Sequence, residues 1–125
     1  MKITENFIQT SFGKIYVKKW LCDNAVSTIP IVLMHDSLGS VGLWKQFPHQ
    51  LAEVLRQPVI AYDRLGFGFS DTREALPSLH FIAEEAITYF AEIKQHLEID
   101  DFYVLGHSVG GAMAVNIAEQ NHECK

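Results

Sequence analysis

The residues best suited to chemistry are Gly106-His107-Ser108-Val109-Gly110, a Gly-x-Ser-x-Gly run entered from the apolar segment Phe102-Tyr103-Val104-Leu105 and left through an Ala-rich stretch. A serine on a sharp strand-to-helix turn needs neighbours two positions away that lack side chains, and Gly106 and Gly110 supply them. A helix that starts near Val109 aims free backbone N–H groups at any oxyanion formed beside Ser108. The chemistry this allows is nucleophilic attack by the Ser108 hydroxyl, with the developing negative charge held by backbone donors. The plainer reading of the pentapeptide is a glycine-rich turn with a solvated serine.

Two upstream blocks narrow that choice. Ile31-Val32-Leu33-Met34 reads as a buried strand and runs into His35-Asp36-Ser37-Leu38-Gly39-Ser40. Pro58-Val59-Ile60-Ala61-Tyr62 reads as another strand and runs into Asp63-Arg64-Leu65-Gly66-Phe67-Gly68-Phe69-Ser70. With the serine turn, these blocks in this order resemble the α/β-hydrolase fold family, over nearly the whole chain. The resemblance implies Ser108 as catalytic nucleophile and the backbone N–H groups of Val109 and Ser37 as oxyanion donors. It also implies a structural His35 that bonds the oxyanion loop. Asp63 and Arg64 are read as pinning their own loop by local hydrogen bonds. The family's loop usually reads His-Gly where this chain has His35-Asp36. Glycine there permits a positive φ, which aspartate tolerates at some cost, so Asp36 is read as a variant of the motif. Serine in place of aspartate at the nucleophile position argues against dehalogenase and epoxide-hydrolase chemistry. It favours hydrolysis of an ester, thioester, amide or C–C bond.

The family's triad runs Ser, then Asp or Glu, then His. After Ser108 the acids are Glu119 and Glu123 and the histidine is His122. If helix continues from the turn, His122 lies about 21 Å along its axis, out of reach of the serine hydroxyl. His107 should point away from Ser108, and His49, His80 and His96 fall on or beside surface helices. The expectation is a chain that holds the N-terminal portion of a single α/β-hydrolase domain over residues 1–125 and is inactive alone, the acid and histidine being absent.

The elements that must position these groups follow from periodicity. Glu5 to Thr10 and Lys14 to Trp20 flank Ser11-Phe12-Gly13 as a β-hairpin. Ile29 to Met34 and Pro58 to Tyr62 are strands. Trp44, Phe47, Leu51, Val54 and Leu55 recur at helical spacing and predict a helix over 43–55 with that face buried. After Pro77-Ser78, the residues Leu79, Ile82, Ala83, Ala86, Ile87, Phe90, Ile93 and Leu97 predict one long helix, with Glu84, Glu85, Glu92 and Lys94 on its solvent side. A strand over Phe102 to Leu105 and a helix from Val109 to about Gln120 complete a three-layer α/β/α arrangement, mainly parallel with an N-terminal hairpin.

The 125 residues carry a formal charge of −5 and are 48% hydrophobic, enough for one core and without a basic cluster for nucleic acid or an anionic membrane. No apolar run approaches the ~20 residues of a membrane span, and the N-terminus lacks an apolar signal region, so the expected location is cytoplasmic. Cys22 and Cys124 have no C-x-x-C spacing, and neither a metal nor a cofactor is expected. The expected partners are a small-molecule substrate in the complete enzyme, and a second copy or a C-terminal half paired with the open edge of the last strand. A non-catalytic assembly module using that edge is the alternative. A nucleotide-binding oxidoreductase, suggested by Gly66-x-Gly68 and Gly106 to Gly111, fails because neither run completes the dinucleotide fingerprint.

Overall fold

Strand side chains alternate between faces, so a strand whose residues are all apolar can be buried on both sides only inside a sheet covered by two layers. Ile31–Met34 (β3) and Val59–Tyr62 (β4) are such strands, with every residue buried. The computed structural model describes residues 1–73 and 78–125. Around β3 and β4 it builds a five-stranded sheet in the order β1-β2-β4-β3-β5, where β1 is Lys2–Thr10, β2 is Gly13–Leu21 and β5 is Tyr103–Gly106. The hairpin accounts for the antiparallel pairings, β1 with β2 and β2 with β4, while β4, β3 and β5 run parallel.

One face carries Val17, Val32, Met34, Ile60 and Tyr62 against Phe90, Ile93, Met113 and Ile117 from the helical segment 81–96 and from Val109–Gln120 (α4). The other carries Tyr16, Trp20, Leu33 and Ala61 against Val41 and Ala52, from a 3-10 turn over Val41–Trp44 and from Phe47–Leu55 (α1). The hairpin is tied to the first of these helical layers, because Ser11 donates to Glu92 through its N–H at 2.6 Å and its hydroxyl at 2.8 Å.

Two of the expected helices are corrected. The helix over 43–55 is broken at Lys45, whose φ of 54° is left-handed, and α1 starts at Phe47 with proline in its first turn. Its buried positions are Pro48 and Ala52, whereas Val54 is 78% exposed and Leu55 44%. Segment 81–96 is likewise not one regular helix. It runs as Phe81–Glu84 (α2), a π-helical turn at Glu85–Tyr89, and Phe90–His96 (α3). A π turn inserts one residue and rotates the downstream residues by roughly 100° relative to an unbroken α-helix. Within this turn Glu85 lies inside, 3% exposed, and Ile87 outside, 56% exposed, the reverse of the assignment by periodicity, whereas Phe90 and Ile93 beyond it are buried as expected. Leu79 precedes the helix and is 97% exposed, and Pro77 lies outside the described residues.

β3 occupies one edge of β5. Among the described residues its other edge is met only at its start, where Phe102 N–H donates to Glu123 O and Lys125 N–H to Phe102 O, a parallel bridge of Phe102 with Cys124. No helix among the described residues is long and apolar enough to cross a membrane.

Candidate active site

The turn from β5 into α4 is tight because two glycines let backbones meet. A Cβ on Gly106 would collide with the carbonyl of Gly110, and one on Gly110 would collide with the carbonyl of Met34 and lie 2.6 Å from that of His35. The chain returns over β3, with His107 N–H donating to Met34 O at 3.2 Å. Between the glycines Ser108 has φ 59° and ψ −122°, a sparsely populated conformation for a residue with a side chain, and its hydroxyl makes no capping bond to α4. Val109 is the first residue of α4, so its N–H has no carbonyl one turn back within the helix and is free for another acceptor.

The loop after β3 is held from beneath by the loop after β4. Arg64 N–H donates to His35 Nε2 at 3.0 Å, which leaves the proton on Nδ1, and that nitrogen donates to Asp36 O at 2.8 Å. Arg64 Nη2 donates to the same carbonyl oxygen at 2.5 Å, and Gly39 N–H does so at 3.2 Å. Three donors therefore fix the 36–37 peptide. A trans peptide points its N–H opposite its C=O, so fixing Asp36 O also fixes the direction of Ser37 N–H. Ser37 itself is exposed. Asp36 does not take a positive φ, so the aspartate at this position carries no left-handed strain.

His35 is 2% exposed, and burial together with the Arg64 charge pushes its imidazole down to about 4. Asp63, 1% exposed, commits both carboxylate oxygens to backbone, Oδ1 accepting from Val41 N–H at 2.7 Å and Oδ2 from Phe69 N–H at 2.8 Å. Its carbonyl accepts the Ser70 hydroxyl at 2.6 Å. Arg64 also lies over the Phe67 ring at 4.6 Å. The structure thus brings His35, Asp63 and Arg64 together as the support of the Ser37 loop, beside the turn formed by Gly106, Ser108, Val109 and Gly110.

Among the described residues no histidine is placed as a general base. Both nitrogens of His35 are engaged. His107 turns to Asp36, Nδ1 to Oδ2 at 3.6 Å, with its side chain 70% exposed. His122 lies past the end of α4 and is 96% exposed. A cavity of about 120 Å³ lies beside the turn, lined by His35, Asp36, Ser40, Leu43, Trp44 and His107. No cluster able to hold a metal ion occurs among the described residues, and Cys22 and Cys124 are free thiols. Glu85 and Tyr62, joined by a buried 2.7 Å hydrogen bond, are not singled out by sequence reasoning. The only signal for Glu85 is the Glu84-Glu85 pair, which helical phase assigns to solvent.

The family model of the alpha/beta hydrolase fold matches residues 29–125, and the chain belongs to the α/β-hydrolase fold family. It is 36% identical over 115 residues to a proline iminopeptidase of Clostridioides difficile (strain 630), covering 92% of this chain and 38% of that protein. It is 36% identical over 106 residues to the 1-acylglycerol-3-phosphate O-acyltransferase ABHD5 of Sus scrofa, covering 82% of this chain and 28% of that one. In structure it resembles the proline iminopeptidase of Mycobacterium smegmatis with a TM-score of 0.81 at 23% identity, a likeness of fold over 97% of this chain and 41% of the other. The chain thus spans about two fifths of the length of the proline iminopeptidases it matches.

Proposed function

We propose that this chain carries the nucleophile and oxyanion hole of a serine hydrolase, Ser108 attacking the carbonyl of an ester, thioester, amide or C–C substrate while Val109 N–H and Ser37 N–H hold the oxyanion. The observation that carries the reading is the Ser108 backbone, φ 59° and ψ −122°, held between two glycines whose Cβ positions are occupied by neighbouring carbonyls. Strain of this kind persists only where surrounding structure enforces it, and it presents the hydroxyl at the N-terminus of α4. The relatives' names include a peptidase and an acyltransferase, which is consistent with acyl transfer as the shared chemistry. As an isolated chain it hydrolyses activated esters no faster than Ser108→Ala, because no described imidazole takes the serine proton. Oxyanion donors alone still favour attack at this serine over others.

The test is phosphonylation by a fluorophosphonate, located by peptide mass spectrometry, with and without added imidazole as an external base. The expected result is modification concentrated on Ser108, accelerated by imidazole and lost in Ser108→Ala. Labelling spread evenly over Ser37, Ser40, Ser78 and Ser108 would overturn the reading.

A second reading, an assembly module, is favoured by the free edge of β5, where Tyr103 is 41% exposed and Val115 on α4 is 68% exposed. It predicts self-association at micromolar concentration or pairing with a C-terminal half. A monodisperse monomer in sedimentation, unchanged by the C-terminal part of the Clostridioides difficile relative, would remove it.

A further inference from the structure

Two buried polar atoms that lack a hydrogen-bond partner belong to residues lining one cavity, the recess of about 120 Å³ beside the serine turn. One is Oδ1 of Asp36, an acceptor, and the other is Nε1 of Trp44, whose N–H can only donate. An unpaired buried donor or acceptor is disfavoured, so a cavity bordered by one of each suits a group that answers both. The acceptor is built into its loop. Three donors fix the Asp36 carbonyl, and the carboxylate stands over Gly39, where a Cβ would collide with Oδ1. Among the described residues no lysine or arginine comes within ion-pair distance of this carboxylate, and His107 Nδ1 stands 3.6 Å from its Oδ2, beyond hydrogen-bond length. The donor is held as well, because the Trp44 ring stacks on Phe47 with centroids 5.6 Å apart. Ser40, also in the lining, makes no capping bond to the 3-10 turn that follows it.

We propose that this cavity is a substrate subsite for a short neutral group that donates and accepts at once, a primary carboxamide, its N–H bonding the Asp36 carboxylate and its C=O taking the Trp44 indole N–H. That the bound group is part of a substrate rests on the hydrolase reading, whereas its binding does not. An anion is repelled by Asp36, and an ammonium leaves the indole N–H unanswered, so neither suits both walls. A lone hydroxyl leaves most of the volume unfilled. At about 30 Å³ for a water-sized atom the cavity takes roughly four non-hydrogen atoms, the size of a carboxamide with the carbon that bears it. A donor and an acceptor at set positions also orient what enters, and so place the part of the substrate joined to it beside Ser108.

The experiment is a titration of the whole chain with acetamide, followed by NMR on the indole N–H resonances, Trp44 as reporter and Trp20, which does not line the cavity, as control. The Trp44 N–H and the Ser40 and Leu43 amides shift and saturate at about millimolar acetamide, while the Trp20 N–H stays in place. Acetate and methylammonium bind at least about tenfold more weakly, a comparison that needs no variant. Trp44→Phe keeps a ring and loses the N–H, and Asp36→Gly installs the residue usual in the family. Each weakens acetamide at least about fivefold, read on the Ser40 and Leu43 amides. Shifts that grow linearly without saturation, acetate or methylammonium binding as tightly as acetamide, or unchanged affinity in either folded variant overturns the proposal. Fluorophosphonate labelling in parallel separates the two readings. Scattered labelling with saturable acetamide binding removes the hydrolase reading and leaves the binding site, and Ser108 labelling without saturable binding removes the subsite alone.

Discussion

On one side of Ser108 the backbone is over-determined. Three donors fix the Asp36 carbonyl, both oxygens of Asp63 hold loop N–H groups, and two glycines admit carbonyls where side chains would stand. On the other side the available imidazoles are engaged or turned away, His35 bonded at both nitrogens and His107 facing Asp36. Under the proposed hydrolase reading, the difference teaches that the backbone support of an oxyanion hole and the base that activates the serine are separable. The backbone support is built at the ends of the adjacent parallel strands β4, β3 and β5, and so fits within a short stretch of chain. Oxyanion donors can act without a base, whereas the base has nothing to activate without a presented nucleophile.

The largest way to break the built side is to fill its turn. Gly110→Val puts two methyl groups and a Cβ against the carbonyls of Met34, the last residue of β3, and His35, the residue after it, which cannot yield without moving that strand. The expected loss is about 3 kcal/mol or more, read as a lower urea midpoint. A midpoint equal to wild type would mean that the turn has room for a side chain and that the contrast between the two sides is not real.

Acid attacks the same side through His35. Its imidazole sits at about 4 when folded, against an ordinary value of 6.5 unfolded, so between these values the unfolded chain binds more protons and stability rises with pH. The penalty is absent above the unfolded value, grows as pH falls below it, and is complete near the folded value at about 3 kcal/mol. The cause is burial first and the Arg64 charge second. His35→Asn, which keeps a donor for Asp36 O, should flatten the part of the pH–stability curve that this group contributes, in urea titrations from neutral to acid. Curves of the same steepness would show that His35 is not the neutral strut between Arg64 and Asp36.

How much of this is legible in the sequence varies with how local the cause is. The strands β3 and β4 and the helix at Val109 are readable because apolar runs and the flanking glycines act over a few residues, and α4 does span Val109–Gln120. The break at Lys45 is less so, since a left-handed lysine before a proline-started helix leaves only a weak trace in residue types. Periodicity puts Glu85 on the wrong face because a π turn, set by packing more than by local residue type, breaks the α-helical spacing over Glu85–Tyr89, while Phe90 and Ile93 beyond it are buried as expected. The support of Ser37 is hidden for a related reason. Its donors come from His35, Arg64 and Gly39, and only the sheet order brings Arg64 beneath Asp36.

The smallest predicted effect sharpens the comparison most, because it separates strain from packing. At φ 59° and ψ −122° Ser108 carries a side chain that its backbone disfavours, while the glycines beside it bear no strain of that kind. Ser108→Gly removes the Cβ and its strain but makes the unfolded chain more flexible, two effects of similar size and opposite sign. The net expectation is neutral to stabilising by up to about 1 kcal/mol, measured by urea unfolding against Ser108→Ala, which removes the hydroxyl and retains the Cβ. Ser108→Gly more stable than Ser108→Ala places the strain in the backbone, as nucleophile presentation requires. Glycine less stable than alanine would show that the conformation is one the chain adopts without cost, and Ser108 would then lose the feature that distinguishes it from a surface serine.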